Sequence, residues 1–364
     1  MDSSFSTSLF IIVIISVQYV FPLISSSSAA TRQQLAPALY VFGDSLLDSG
    51  NNNLLPTIAK ANYFPYGADF VKNSTGRFTN GRTVADFIAE FLGLPYSPPF
   101  MTLPEDKLPL TGLNYASGSC GILPETGLLS GICLNLGEQV GLFEGTVKLL
   151  KKQFRSSEEL SIYLSKSIFI ISAGSNDYMN NYLDTLLFKH YTQQEFAQLL
   201  VHKLSFHLQR LYSLGARKII VFEIGPIGCI PSITRKYKHK GQCVEDKNRD
   251  VSLFNNMLPA MLQNLTSSLK GSIFVNGQAH WLGYDAIINP SHYGLTDASN
   301  PCCTAWFNGK SGCIPLLRPC SNPYEHYFWD GYHLTEAVYS VIASRCIYDT
   351  SVCIPFNLKK LVNK

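Results

Sequence analysis

The sequence predicts an α/β fold in which a central, mainly parallel sheet is covered on both faces by helices. Four short apolar runs, 38–42, 167–171, 218–224 and 272–275, are rich in β-branched and aromatic residues, as strands buried on both faces are. Stretches with apolar residues three and four apart lie between these runs, and strands alternating with helices build a parallel sheet. The composition agrees: 46% of the 364 residues are hydrophobic and 15% charged, which supplies a large core and excludes a disordered or fibrous chain. Chains of this kind and length often form one domain, expected here over 31–364.

Residues 1–30 differ from the rest. Leu9 to Val17 is an apolar run of nine, followed by a serine-rich stretch ending at Ala29 and Ala30, the pattern of a secretory signal peptide. A membrane anchor is the alternative, but a spanning helix needs roughly 20 apolar residues, about twice this run. The first strand then leads into Phe42-Gly43-Asp44-Ser45-Leu46-Leu47-Asp48-Ser49-Gly50-Asn51-Asn52. Ser45 sits where a strand turns toward a helix, a position that exposes its hydroxyl and points its backbone N–H into a site, although the same residue types suit a plain loop. After a helix over 83–92 comes Gly112-Leu113-Asn114-Tyr115-Ala116-Ser117-Gly118-Ser119-Cys120-Gly121, whose small residues permit close backbone approach to a ligand or a tight turn.

A helix over 136–154 precedes the second strand, which ends in Gly174-Ser175-Asn176-Asp177-Tyr178. The Asn176 amide can donate into the crevice that holds Ser45, or cap a turn. The helix over 193–212 has the clearest periodicity, with Phe196, Leu199, Leu200, Leu204, Leu208, Leu211 and Tyr212 on one face and Gly215 beyond its end. Behind the third strand lies a basic cluster, Arg235, Lys236, Lys238, His239 and Lys240, read as a solvated loop or a contact for an acidic polymer. A helix over 250–269 and the fourth strand follow. Near the C-terminus, Phe328-Trp329-Asp330-Gly331-Tyr332-His333-Leu334-Thr335 precedes a helix over 336–347. Asp330 and His333 are close enough in sequence for the carboxylate to fix the imidazole tautomer.

The net charge of +3 is too small and dispersed for a nucleic-acid footprint. The ten cysteines lack the paired spacing of zinc sites, so in an exported chain they are expected to form disulfides, with Cys120–Cys133 and Cys229–Cys243 as local candidates. Asn73-Ser74-Thr75 and Asn264-Leu265-Thr266 are glycan acceptor triplets, which fit export. Neither G-x-S-x-G nor G-x-G-x-x-G occurs, which argues against an α/β-hydrolase elbow and a dinucleotide site.

Each block is weak alone, but a serine, a small backbone donor, an amide donor and an Asp/His pair, all at strand or loop ends, make a constellation. The four blocks resemble those of the GDSL esterase/lipase family of SGNH hydrolases, and closely its secreted plant branch. Gly43-Asp44-Ser45-Leu46 is the name-giving motif, extended by Asp48 and Gly50-Asn51-Asn52. The resemblance implies a flavodoxin-like three-layer α/β/α sandwich. It also implies Ser45 as nucleophile, Asp330 and His333 as the rest of a triad, and Gly118 and Asn176 as oxyanion donors beside the N–H of Ser45. Such chemistry requires no metal or organic cofactor, and the expected partner is a small-molecule or polymer-borne ester met outside the cell, in the apoplast or cell wall if the source is a plant. The same residues would serve an acyltransferase or a polysaccharide O-acetylesterase, and a secreted lipid- or glycan-binding protein that has lost catalysis is the alternative from another class. Two departures stand out: Leu334 follows His333 where the family commonly has Pro, and Ser119-Cys120 stands where it has Gly or Ala.

Overall fold

Period-two alternation in the strands decides the architecture. In β1 (Leu39–Gly43), Leu39 and Val41 enter one apolar cluster while Tyr40 and Phe42 enter another, on the opposite face of the sheet. The same split runs through β2 (Ile168–Ser172), with Ile168 and Ile170 on one side and Phe169 and Ile171 on the other. With β3 (Lys218–Phe222) and β4 (Ile273–Gly277) these strands are parallel, in the order β1-β2-β3-β4. The computed structural model describes residues 33–104, 108–182 and 190–364, and the expected leader over 1–30 lies outside them. Residues 34–364 form one compact unit.

Helices α1 (Val84–Leu92), α2 (Leu136–Leu150), α3 (Ser157–Lys166), α4 (Gln193–Ser213), α5 (Pro231–Thr234), α6 (Glu245–Ser268), α7 (Ala279–Ile288), α8 (Trp306–Gly309, one turn), α9 (Glu336–Tyr348) and α10 (Leu358–Leu361) follow in chain order. Apolar faces of α2, α3, α4 and α6 share the cluster of Tyr40 and Phe42; those of α1, α7, α9 and α10 share the cluster of Leu39 and Val41. The result is the three-layer α/β/α sandwich. A small parallel pair, β5 (Asp297–Pro301) and β6 (His326–Phe328), stands apart, and β7 (Cys353–Ile354) adds an antiparallel edge to β4. No described helix is long and apolar enough to cross a membrane.

An irregular strand lies on the free edge of β1. Val41 N–H donates to Leu113 O at 2.9 Å and Tyr115 N–H to Val41 O at 2.8 Å, a parallel bridge centred on Asn114. Counting it, the chain leaves β1 for one neighbour and returns to β2 on the other side, the flavodoxin-like order. Ligands in such sheets bind where the order reverses, beyond the carboxyl ends of the strands. Here that place lies at the ends of β1 and β2.

The differences from the sequence reading have local causes. The helix expected over 250–269 starts at Glu245, with two acidic residues in its first turn, and continues past Pro259, which sits on an exposed position. The helix expected over 136–154 ends at Leu150. Helix α3 was missed although Ser156 caps it by accepting the Glu159 N–H at 3.1 Å. In α7, Trp281, Gly283 and Tyr284 blur the apolar stripe. Of the basic cluster, Arg235 is tied to Gly309 O and Asn300, while Lys238, His239 and Lys240 are exposed.

All ten cysteines are paired: Cys120–Cys133 and Cys229–Cys243, as expected, and Cys302–Cys320, Cys303–Cys313 and Cys346–Cys353. Asn73 and Asn264 are both exposed.

Candidate active site

At the end of β1, Gly43 turns the chain with a φ of 142°, and a Cβ there would lie 2.0 Å from Ser172 O of β2. The Gln139 amide clamps this glycine, accepting its N–H and donating to its carbonyl, both at 2.8 Å. Ser45 follows at the mouth of the site, 9% exposed. Its Oγ lies 2.7 Å from His333 Nε2, although the two residues are 288 positions apart.

The imidazole is oriented from behind. His333 Nδ1 lies 2.9 Å from Asp330 Oδ1 and 2.8 Å from Oδ2, while Asp330 Oδ1 also accepts the backbone N–H groups of Tyr332 and His333 at 2.8 Å each. Tyr66 Oη donates to Asp330 Oδ2 at 2.6 Å. Complete burial alone would raise the Asp330 pKa, but the neighbouring His333, its hydrogen bond and that of Tyr66 outweigh burial and hold it below the usual aspartate value. The Phe78 ring packs 4.9 Å from the imidazole, centroid to centroid.

The rest of the first block is scaffolding for the second. Asp48 Oδ1 accepts the N–H of Gly50 at 2.7 Å and of Asn51 at 2.8 Å. Asn51 Nδ2 donates to Asn114 O and Ala116 O, and Asn52 Nδ2 to Gly118 O. A Cβ on Gly118 would meet the Phe78 ring at 2.7 Å, so glycine lets this loop approach the imidazole shelf. The Gly118 N–H itself donates to Asp48 Oδ2 at 3.1 Å, so it can serve an oxyanion only as a shared donor. Asn176 Nδ2 lies at the same mouth with one hydrogen spent on Cys120 O at 3.0 Å. Asp177 holds the loop behind Gly118, accepting hydrogen bonds from Ile122 N–H, Leu123 N–H and the Thr126 hydroxyl at 2.7–2.9 Å.

Ser45, Asn176, Asp330 and His333 thus line one cavity of about 640 Å³. Leu334, in place of the family's common Pro, gives its carbonyl to Thr79 Oγ at 2.8 Å and bridges to Phe328, which anchors the loop just after the imidazole. Sequence reasoning missed Tyr66, because nothing local to it signals a partner 264 residues away.

Comparison with known proteins agrees with this geometry. The family profile "GDSL-like Lipase/Acylhydrolase" matches residues 39–346. The chain is similar to GDSL esterase/lipase 7 of Arabidopsis thaliana, 43% identical over 328 residues that cover 88% of this chain and 90% of that relative. A second Arabidopsis thaliana protein, GDSL esterase/lipase At5g08460, is 41% identical over 94% of this chain and 91% of its own. Among solved structures, phospholipase A1 from Streptomyces albidoflavus matches at 13% identity with a TM-score of 0.32, covering 84% of this chain and 95% of that one, too distant to carry an argument. By its family match and its close relatives, this chain belongs to the GDSL-like lipase/acylhydrolase family and is a hydrolase of ester bonds.

Proposed function

We propose that the protein is a serine esterase or lipase that cleaves carboxylic esters through an acyl-enzyme, with Ser45 as nucleophile, His333 as general base and Asp330 as its orienting carboxylate. The observation that carries this is the 2.7 Å approach of Ser45 Oγ to His333 Nε2 while Nδ1 of the same ring faces a buried carboxylate. With the Nδ1 proton held toward Asp330, Nε2 is the free lone pair and takes the serine proton as Oγ attacks the ester carbonyl. The imidazolium formed is stabilised by Asp330 and then protonates the leaving alkoxide. Negative charge on the carbonyl oxygen meets the Ser45 N–H, the second hydrogen of Asn176 Nδ2 and, by sharing with Asp48, the Gly118 N–H. Water activated by His333 then releases the acid and frees Ser45. These steps call on no metal or organic cofactor.

Export through the 1–30 leader is part of the proposal, supported by five disulfides that persist only in an oxidising compartment. The test is hydrolysis of p-nitrophenyl acetate, butyrate and palmitate by the wild type beside Ser45→Ala. Loss of turnover in the variant is expected. Equal rates in the two proteins would remove Ser45 from the mechanism.

A further inference from the structure

The cavity in front of Ser45 does not stop at the loops. It continues between the sheet and its helical cover, where Val84 of α1, Phe222 at the end of β3, Ile287 of α7, Tyr327 of β6 and Ile342 of α9 line it, all of them buried and all part of the cluster of Leu39 and Val41. Groups that bind or react with an ester head, such as Asn176 and His333, sit with Ser45 at one end, and the interior lining is dominated by hydrocarbon. Besides Asp330, two carboxyls line it, Asp44 and Glu223, and burial raises the pKa of both, that of Asp44 to about 7, which lowers the charge they present.

A second cavity of about 280 Å³ lies between α7 and α9, lined by Leu282, Ala286, Val338 and Val341 and bordered by the Arg82–Glu336 ion pair. The two cavities have Tyr327 and Ile342 in common. These two side chains therefore stand where the two cavities adjoin.

We propose that the interior cavity is the binding channel for a long aliphatic acyl chain, and that the Tyr327–Ile342 pair is its end wall and sets the acyl length the enzyme accepts. This rests on the esterase reading above for the position of the ester but on the cavity walls for the chain. About 640 Å³ is within the range of sites that enclose a whole small ligand, more than an acetyl group fills. Each methylene buried along such walls contributes to binding, while one that meets a wall is rejected, so a single side chain at the end discriminates strongly.

The experiment changes one residue in both directions. Ile342→Phe fills the end of the channel and Ile342→Ala opens it toward the second cavity; kcat/KM is measured on p-nitrophenyl acetate, octanoate and palmitate. The palmitate-to-acetate ratio should fall about tenfold in Ile342→Phe and rise severalfold in Ile342→Ala. Ratios equal to wild type in both variants would overturn the channel. If either protein fails to fold by circular dichroism, Ala279→Leu, at a half-buried lining position, carries the same expectation as Ile342→Phe. Binding of the fluorescent fatty acid cis-parinaric acid by Ser45→Ala protein, with and without Ile342→Phe, separates the two readings. Binding weakened by Ile342→Phe, with a wild type that hydrolyses none of the esters, would keep the channel and discard the esterase, and ester hydrolysis by the wild type with binding indifferent to position 342 would do the reverse.

Discussion

Tyr66 Oη donates a 2.6 Å hydrogen bond to Asp330 Oδ2 and accepts the Cys313 N–H at 3.1 Å, so one buried phenol joins the carboxylate behind His333 to a disulfide-closed loop. A hydrogen bond to a charged acceptor is worth about 1.5–3 kcal/mol. Tyr66→Phe keeps the ring and removes the donor. The expected result is a kcat/KM on p-nitrophenyl butyrate about tenfold below wild type, in a protein with an unchanged circular dichroism spectrum. A variant at the wild-type rate would show that Asp330 needs no fourth donor.

Asn176 tests the oxyanion assignment. Asn176→Ala should lower kcat by about 10²- to 10³-fold with KM little changed, the size found on removing one such donor. Because the amide also donates to Cys120 O, a melting curve accompanies the kinetics. A full-rate enzyme would remove the amide from the mechanism.

Stability should fall as pH rises through the weakly acidic range. Burial pushes Asp44 up to about 7, against about 3.9 for an exposed aspartate, so between those values the folded chain holds a proton that the unfolded chain has released. The stabilisation is complete below about pH 4 and is lost as pH climbs through about 7. Asp48 and Asp177, both pushed up to about 6 by burial, act in the same sense. Asp44→Asn retains the acceptor for the Leu46 N–H, a 3.0 Å bond, and deletes one titration. Its melting temperature should drop less over this range than that of the wild type, and parallel curves would refute the assignment.

Ser119 adopts a φ of 73°, a left-handed conformation that a side chain disfavours, and its hydroxyl gains only a 3.4 Å contact with Gly127 O. Ser119→Gly should therefore stabilise the protein by roughly 0.5–1 kcal/mol, read from urea unfolding midpoints. Destabilisation would mean that the contact outweighs the strain.

What was legible in the sequence follows from how local each signal is. The four strands announce themselves because a strand buried on both faces has no polar positions to disguise it. Ser45 and the Asp330/His333 pair stand in compact blocks whose chemistry is visible within a few residues. The edge strand around Asn114 is not, since its place is set by carbonyls of β1 and the side chains of Asn51 and Asn52. Tyr66 and the pair of Tyr327 and Ile342 are further removed still, for each acquires meaning only from partners on other elements. The sharing of the Gly118 N–H with Asp48 belongs to the same class.

The 288-residue separation of Ser45 from His333 gives the protein a built-in order of events. With Ser45 and His333 in the proposed roles, a chain still emerging during synthesis carries its nucleophile almost from the start and has nothing to deprotonate it until the segment around β6 and α9 has been added and docked. On this assignment the unfinished polypeptide is chemically silent toward esters it passes. A single proteolytic cut that frees the segment from β6 onward, Asp330 and His333 included, would return the protein to that silence with Ser45 untouched.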